Sequence, residues 1–202
     1  MGFDMRWERQ PDGEKADVAA ARERFFAACT ARDEGKGTQA TVEELHDALS
    51  RTERSYFRLN IGGMGRYVEA MRALGMIKDV EVGRFPQPPE GIDWDLYDRA
   101  TPEDVDDAGK LGVAARHKAA VEAHLVAGDD APGIPEHKLH STNDGWLVTP
   151  QECVTALALY DATTDEHRDQ ALEDAGVTDH DYWTRWIGYL RGAIDHGGFR
   201  VR

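Results

Sequence analysis

The positions whose types could do chemistry fall in two stretches. Arg58 and Asn60 lie in SYFRLNIGGMG, and Lys138, Ser141, Asn143, Asp144 and Trp146 lie in HKLHSTNDGWLVTPQEC, which runs from His137 to Cys153. Brought together, they would offer two cations to an anionic ligand. Amide, hydroxyl and carboxylate groups would orient it and an indole would form an apolar wall, the make-up of a small-molecule pocket. Each residue also has an architectural explanation. Asn143-Asp144-Gly145 is turn chemistry, because Asn and Asp tolerate left-handed backbone and Gly prefers it. Arg58 and Lys138 read equally well as solvated cations, and Trp146 as core. Only a fold that turns the two stretches towards each other makes the pocket.

Other constellations are weaker. Asn60-Ile61-Gly62-Gly63-Met64-Gly65-Arg66 leads from a strand-like run into a helix, a turn that can present backbone N–H groups to an anion. Its glycines fit neither G-x-G-x-x-G nor a phosphate loop, and close helix packing with Asn60 or a glycine as cap explains them too. His117 and His124 share a helical face but stand about 10 Å apart along it, too far for direct joint ligation of one metal. His137 and His140 are closer, yet no cysteine or second tight pair completes a site. Asp179-His180-Asp181 suits a helix start and Asp195-His196 a helix end. Asp93, Asp95 and Asp98 imitate a calcium loop only superficially, since Asp98 occupies the place where that loop needs Gly. No nucleophile elbow or cysteine–histidine signature appears. The sequence therefore assigns no catalytic residue, no metal ligand and no cofactor.

The elements that must position these groups are mostly helical. Lys15 to Arg32 carries a helical stripe, closed by the glycine-bearing loop Asp33–Gly37. Thr41-Val42-Glu43-Glu44 reads as a capping box for a second helix. Ser55–Ile61 reads as a short strand, followed by a helix with Met64, Tyr67, Val68, Met71 and Leu74 on one face. Gly75 is placed as the left-handed residue past its end. Val80–Phe85 reads as an edge strand, and Pro86, Pro88 and Pro89 forbid regular structure after it. Thr101-Pro102-Glu103-Asp104 is a further helix start, and a helix follows over Leu111–Ala127. Trp146–Val148 is strand-like; Thr149-Pro150-Gln151-Glu152 then combines N-cap, first-position proline and capping-box glutamate. Helices over 150–161, 165–175 and 180–196 follow. The last, with Trp183, Trp186, Ile187, Leu190 and Ile194 on one face, is the strongest amphipathic signal in the chain. Gly197-Gly198 stops it before a strand-like Phe199–Val201.

The expected fold is thus mainly α with a small β element (α+β), with seven or eight helices in a single domain over residues 1–202. Two runs, about 15–85 and 137–202, share an order of capping box, aromatic pair, glycine and amphipathic helix. They are joined by an acidic, proline-containing linker and a helix over 86–136. Either an internal duplication or ordinary helix–turn grammar produces such a match.

The stretches SYFRLNIGGMG, HKLHSTNDGWLVTPQEC and WTRWIGYLRGAIDHGGFRV resemble a group of actinobacterial and actinophage-type proteins. The resemblance covers the middle of the first half and most of the last third. It implies a shared structural unit and brings no activity with it.

The formal net charge of −14 over 202 residues argues against a partner held through phosphates, which needs a concentrated basic face. MGFDMRWERQ lacks the apolar core of a signal peptide. Arg6 stands where a myristoylation motif needs Ser or Thr, and no apolar run approaches a membrane span. With only Cys29 and Cys153, far apart, a reducing cytoplasm is the expected setting. The expectation for function is a non-catalytic accessory protein that binds another protein or a small ligand. An enzyme acting on a small anionic substrate at Arg58, Lys138, Asn143 and Asp144 is the first alternative, and an acidic mimic of nucleic acid the second.

Overall fold

The computed structural model describes residues 2–128, 131–140 and 144–202. It is mainly helical with a small antiparallel sheet, the α+β class expected. Ser141 and Asn143, two of the candidate residues, lie outside the described residues.

The sheet joins the two ends of the chain. β1 (Gly2–Trp7) pairs antiparallel with β2 (Tyr56–Asn60) on one side and with β6 (Phe199–Val201) on the other. β5 (Leu147–Val148) completes the order β2-β1-β6-β5. β1 is not among the elements placed from the sequence, where its segment is weighed only against targeting signals and matches none. Phe3, Met5 and Trp7 are nevertheless buried in strict alternation with more exposed residues, the period of a strand with one face on a core.

Seven helices of ten residues or more are described. α1 (Glu14–Asp33) and α2 (Gln39–Thr52) form a hairpin packed mainly on itself. It is tied to the sheet by buried Glu14, whose Oε1 accepts the Ser55 N–H at 2.8 Å. The cap of α2 is Thr38, not Thr41: its hydroxyl accepts the Thr41 N–H at 3.2 Å. Gln39 and Ala40 are competent helix formers, so the helix extends back to the first residue able to cap it. β2 runs directly into α3 (Ile61–Ala73), capped by Asn60, whose Oδ1 accepts the Gly63 N–H at 2.6 Å. α3 ends as expected: Gly75 has φ +72°, and Met76 N–H returns to Met71 O at 2.8 Å.

Val80–Phe85 forms no strand. Chain pairing occurs earlier, where β3 (Ile77–Lys78) meets β4 (Ile134–Pro135) in parallel. Val82 and Phe85 are exposed, so the segment has no apolar face to hold it on a sheet. α4 (Trp94–Arg99), a 3-10 turn at Pro102–Asp106 and α5 (Lys110–Leu125) enclose a small satellite core of Ala100, Ala114 and Ala115. The four-residue α6 (His137–His140) precedes β5, then α7 (Pro150–Asp161), α8 (Asp165–Asp174) and α9 (His180–Asp195) follow. The aromatic pair of the early run, Tyr56 and Phe57, lies in a strand, whereas Tyr182 and Trp183 of the late run lie in a helix.

The main core lies between the sheet and helices α3, α7, α8 and α9. α9 supplies its centre: Trp186 and Leu190 are fully buried, and Trp186 packs against Phe57, Tyr189 and Phe199. Each such side chain contributes about 1.5–3 kcal/mol by leaving water. No helix among the described residues is long and apolar enough to cross a membrane.

Candidate functional site

Lys138 is the most committed of the candidate residues. It is 1% exposed, and its Nζ donates to Glu152 Oε1 (2.9 Å) and Oε2 (3.1 Å) and to Leu147 O (2.8 Å). An ammonium has three N–H bonds, and three acceptors face it here, so none is left for a ligand. Glu152, 2% exposed, also accepts the Thr149 N–H at 2.8 Å while the Thr149 hydroxyl accepts the Glu152 N–H. The expected capping box is therefore also one half of a buried ion pair. Burial lowers the Lys138 pKa, and the neighbouring carboxylate of Glu152 pulls the other way.

Trp146 is buried, its ring between His124 (5.0 Å) and, edge-on, His137 (4.6 Å). It walls a packed cluster. Asp144 is exposed beside Gly145, which takes φ +85° as the turn chemistry requires. Arg58 and Asn60 do come together, on a small cavity at the start of α3. The five described members of the seven thus divide: two share a cavity, Lys138 and Trp146 serve the interior, and Asp144 sits on the surface. No group of three or more His, Cys, Asp or Glu side chains among the described residues is placed to hold a metal.

The larger concavity lies elsewhere. A cleft of about 980 Å³ opens between the end of α2, strands β1 and β2, and α9. Its floor is aromatic: Trp7, Phe57 and Tyr189 line it. Trp7 stacks on Tyr189 (5.6 Å) and on His196 (4.5 Å), and its Nε1–H donates to Tyr189 O at 3.2 Å. The lining carries Arg51, Arg54 and Arg185 together with Asp47, Glu53, Asp179 and Asp181. Glu53 is engaged by Arg6 at 3.5 Å. Tyr56, also on the wall, donates its hydroxyl to Asp4; burial, then that carboxylate, push its phenol up to about 12. It remains a neutral donor at any physiological pH.

Two glycines shape the α9 wall. At Gly192 a Cβ would lie 2.2 Å from the Trp7 ring, so the indole occupies the space that a side chain would fill. At Gly188, one turn earlier, a Cβ would meet nothing within 4 Å: the helix backbone borders open cleft. His196 pairs Nδ1 with Gly192 O at 2.8 Å. A carbonyl only accepts, so Nδ1 carries the proton, which leaves Nε2 to accept whenever the ring is neutral.

None of these cleft residues was among the seven pocket candidates, and Asp181 and His196 entered the sequence reading only as parts of a helix start and a helix end. The signal that would have found them is local: Gly188 and Gly192 stand one turn apart in the chain's most amphipathic helix, where each is unfavourable by about 1 kcal/mol relative to Ala. Such a pair marks a close approach or a kept space. The chain matches none of the protein families, curated proteins or solved structures with which it was compared.

Proposed function

We propose that the chain is a non-catalytic accessory protein that takes a small molecule, or a side-chain cluster of a partner protein, into the cleft between α2 and α9. The observation that carries the reading is the lining itself. Preformed aromatic surface lies beneath a charged rim of both signs, and beside it runs a bare stretch of helix at Gly188. Apolar concavities with few convergent polar groups are the usual form of ligand sites, and a rigid aromatic floor lowers the ordering cost of binding. His196 Nε2 offers an acceptor at the α9 end, while Arg51 and Arg54 offer donors at the α2 end. That polarity favours a ligand with an apolar body, an anionic group and a hydrogen-bond donor. Lys138 no longer supports the alternative of an enzyme acting at a shared anionic pocket, because its ammonium is satisfied within the fold.

A thermal-shift screen of metabolites and nucleotides, repeated on Gly188→Leu, tests this. The leucine would stand in the open cleft, with no neighbour within 4 Å of its Cβ to displace. Ligands that raise the melting temperature of the natural chain by mass action should fail on the variant. Equal shifts in both proteins would place binding outside the cleft.

A further inference from the structure

A second cavity, of about 300 Å³, lies on the other side of the α9 N-terminus. Its walls are the end of β2, the first turns of α3, the Gly176–Asp179 connection between α8 and α9, and Tyr182. Arg58 and Arg66 both line it. Arg58 is held through its backbone, whose carbonyl accepts the Tyr182 hydroxyl at 2.6 Å, while its guanidinium stands 3.6 Å from Asp4. Arg66 is exposed and makes no ion pair among the described residues. Its side chain passes Gly176, where a Cβ would lie 3.9 Å from Arg66 Cδ and Nε. Asn60 and Gly63 bring the positive end of the thirteen-residue α3 helix to the same wall.

The independent observation is Tyr67. It is 5% exposed and lines this cavity, yet its hydroxyl is buried with no hydrogen-bond partner. After burial itself, the groups that bear most on that phenol are Tyr182 and Asp179, both on the cavity wall. Tyr67, Tyr182 and Asp179 thus line one cavity, and the unpartnered hydroxyl belongs to a lining residue. Burial keeps it protonated, so it is a donor in want of an acceptor, which normally costs stability. Asp179 is the carboxylate among the lining residues; its Oδ1 accepts the Tyr182 N–H at 2.8 Å as the cap of α9. With Arg58 beside Asp4 and Asp179 engaged as the cap of α9, Arg66 is the guanidinium on this wall without an ion pair among the described residues.

We infer that this cavity binds a small oxyanion of the phosphate class, either free or as the terminal group of a phosphomonoester. Arg66 and Arg58 would supply charge-assisted hydrogen bonds and Tyr67 the buried donor. The inference stands apart from the reading of the cleft, which shares only Asp179 with it.

The test titrates the protein with inorganic phosphate, and separately with methyl phosphate, by calorimetry at constant ionic strength set with chloride, so that general screening cancels. Binding should be saturable. Arg66→Gln, at an exposed position with no ion pair to lose, should weaken it about tenfold or more, the worth of a charge-assisted hydrogen bond. Tyr67→Phe preserves volume and removes only the unpartnered hydroxyl, so it should leave thermal stability in chloride unchanged or higher while weakening phosphate several-fold. Tighter binding of the ester would assign the anion to a phosphomonoester; equal binding would assign it to free phosphate. No saturable binding of either probe, or affinities unaltered in both variants, would overturn the inference.

Discussion

Replacing Lys138 by Met removes the cation from a carboxylate that cannot reach water. The buried Glu152 would keep the Thr149 N–H but lose both contacts to Nζ, and Leu147 O would lose the same donor. Breaking a buried pair from one side costs about 3–5 kcal/mol, because the remaining charge stays desolvated. The surviving capping bond places the expected loss near the lower end, about 3–4 kcal/mol, a fall in melting temperature of about 10 °C for a chain of this size. Glu152→Gln alone strands the ammonium and should cost about 2–3 kcal/mol. The double variant Lys138→Met, Glu152→Gln has no buried charge, and Gln retains an oxygen for the Thr149 N–H. Its main deficit is the unpartnered Leu147 carbonyl, about 1–2 kcal/mol. The double variant should therefore be more stable than Lys138→Met alone. Urea denaturation followed by far-UV circular dichroism measures all four corners of the cycle. If the two single losses simply add, to within about 0.5 kcal/mol, the pair is not coupled and the reasoning fails.

His137 gives a pH prediction. Burial first, then Lys138 and His124, lower its pKa from an ordinary 6.5 to about 4. Between those values the unfolded chain holds the extra proton, so stability rises with pH across about 4 to 6.5 and is lost as pH falls through it. Allowing for partial exposure of the ring, the change is about 1–2 kcal/mol; His137→Gln should flatten that part of a urea-midpoint profile against pH. The two α9 glycines should respond with opposite signs to alanine. Gly188→Ala gains about 0.5–1 kcal/mol from helix propensity, whereas Gly192→Ala must displace the Trp7 ring from 2.2 Å and should lose about 1–3 kcal/mol. Chemical denaturation reads both, and a changed tryptophan emission spectrum is expected only for Gly192→Ala.

What the sequence made legible was local. The capping box at Thr149–Glu152, the Gly75 terminus of α3 and the amphipathic face of α9 are each decided within one or two turns of chain, and the structure has them where the residue types put them. What it hid depends on partners distant along the chain. Glu152 is readable as a cap, but its meeting with Lys138 in the interior depends on how α6, β5 and α7 fold over one another. β1 displays its alternation openly, yet a lone strand is decided by its neighbours, here residues 56–60 and 199–201. The placement of Lys138 and Trp146 in the interior depends on the same distant partners. Proximity in the list of polar residue types is no guide to proximity in space, and a lysine can look solvated in sequence while being 1% exposed in the fold.

The cleft also constrains how its own function can be examined. Trp7, Phe57 and Tyr189 belong to the main core as well as to the cleft floor. Trp7 is bonded to the backbone of α9 and stacked on two of that helix's neighbouring rings. Truncating any of these would cost about 3–5 kcal/mol of packing, and a lost ligand would then report a damaged fold as readily as a damaged site. Arg51, Arg54 and Gly188 are exposed members of the lining. Changes there leave the aromatic floor in place, so an altered affinity in those variants speaks for the cleft itself. The rigidity that makes the floor a poor target for mutation also fits it for binding, because rings already locked against one another lose little freedom when a ligand covers them.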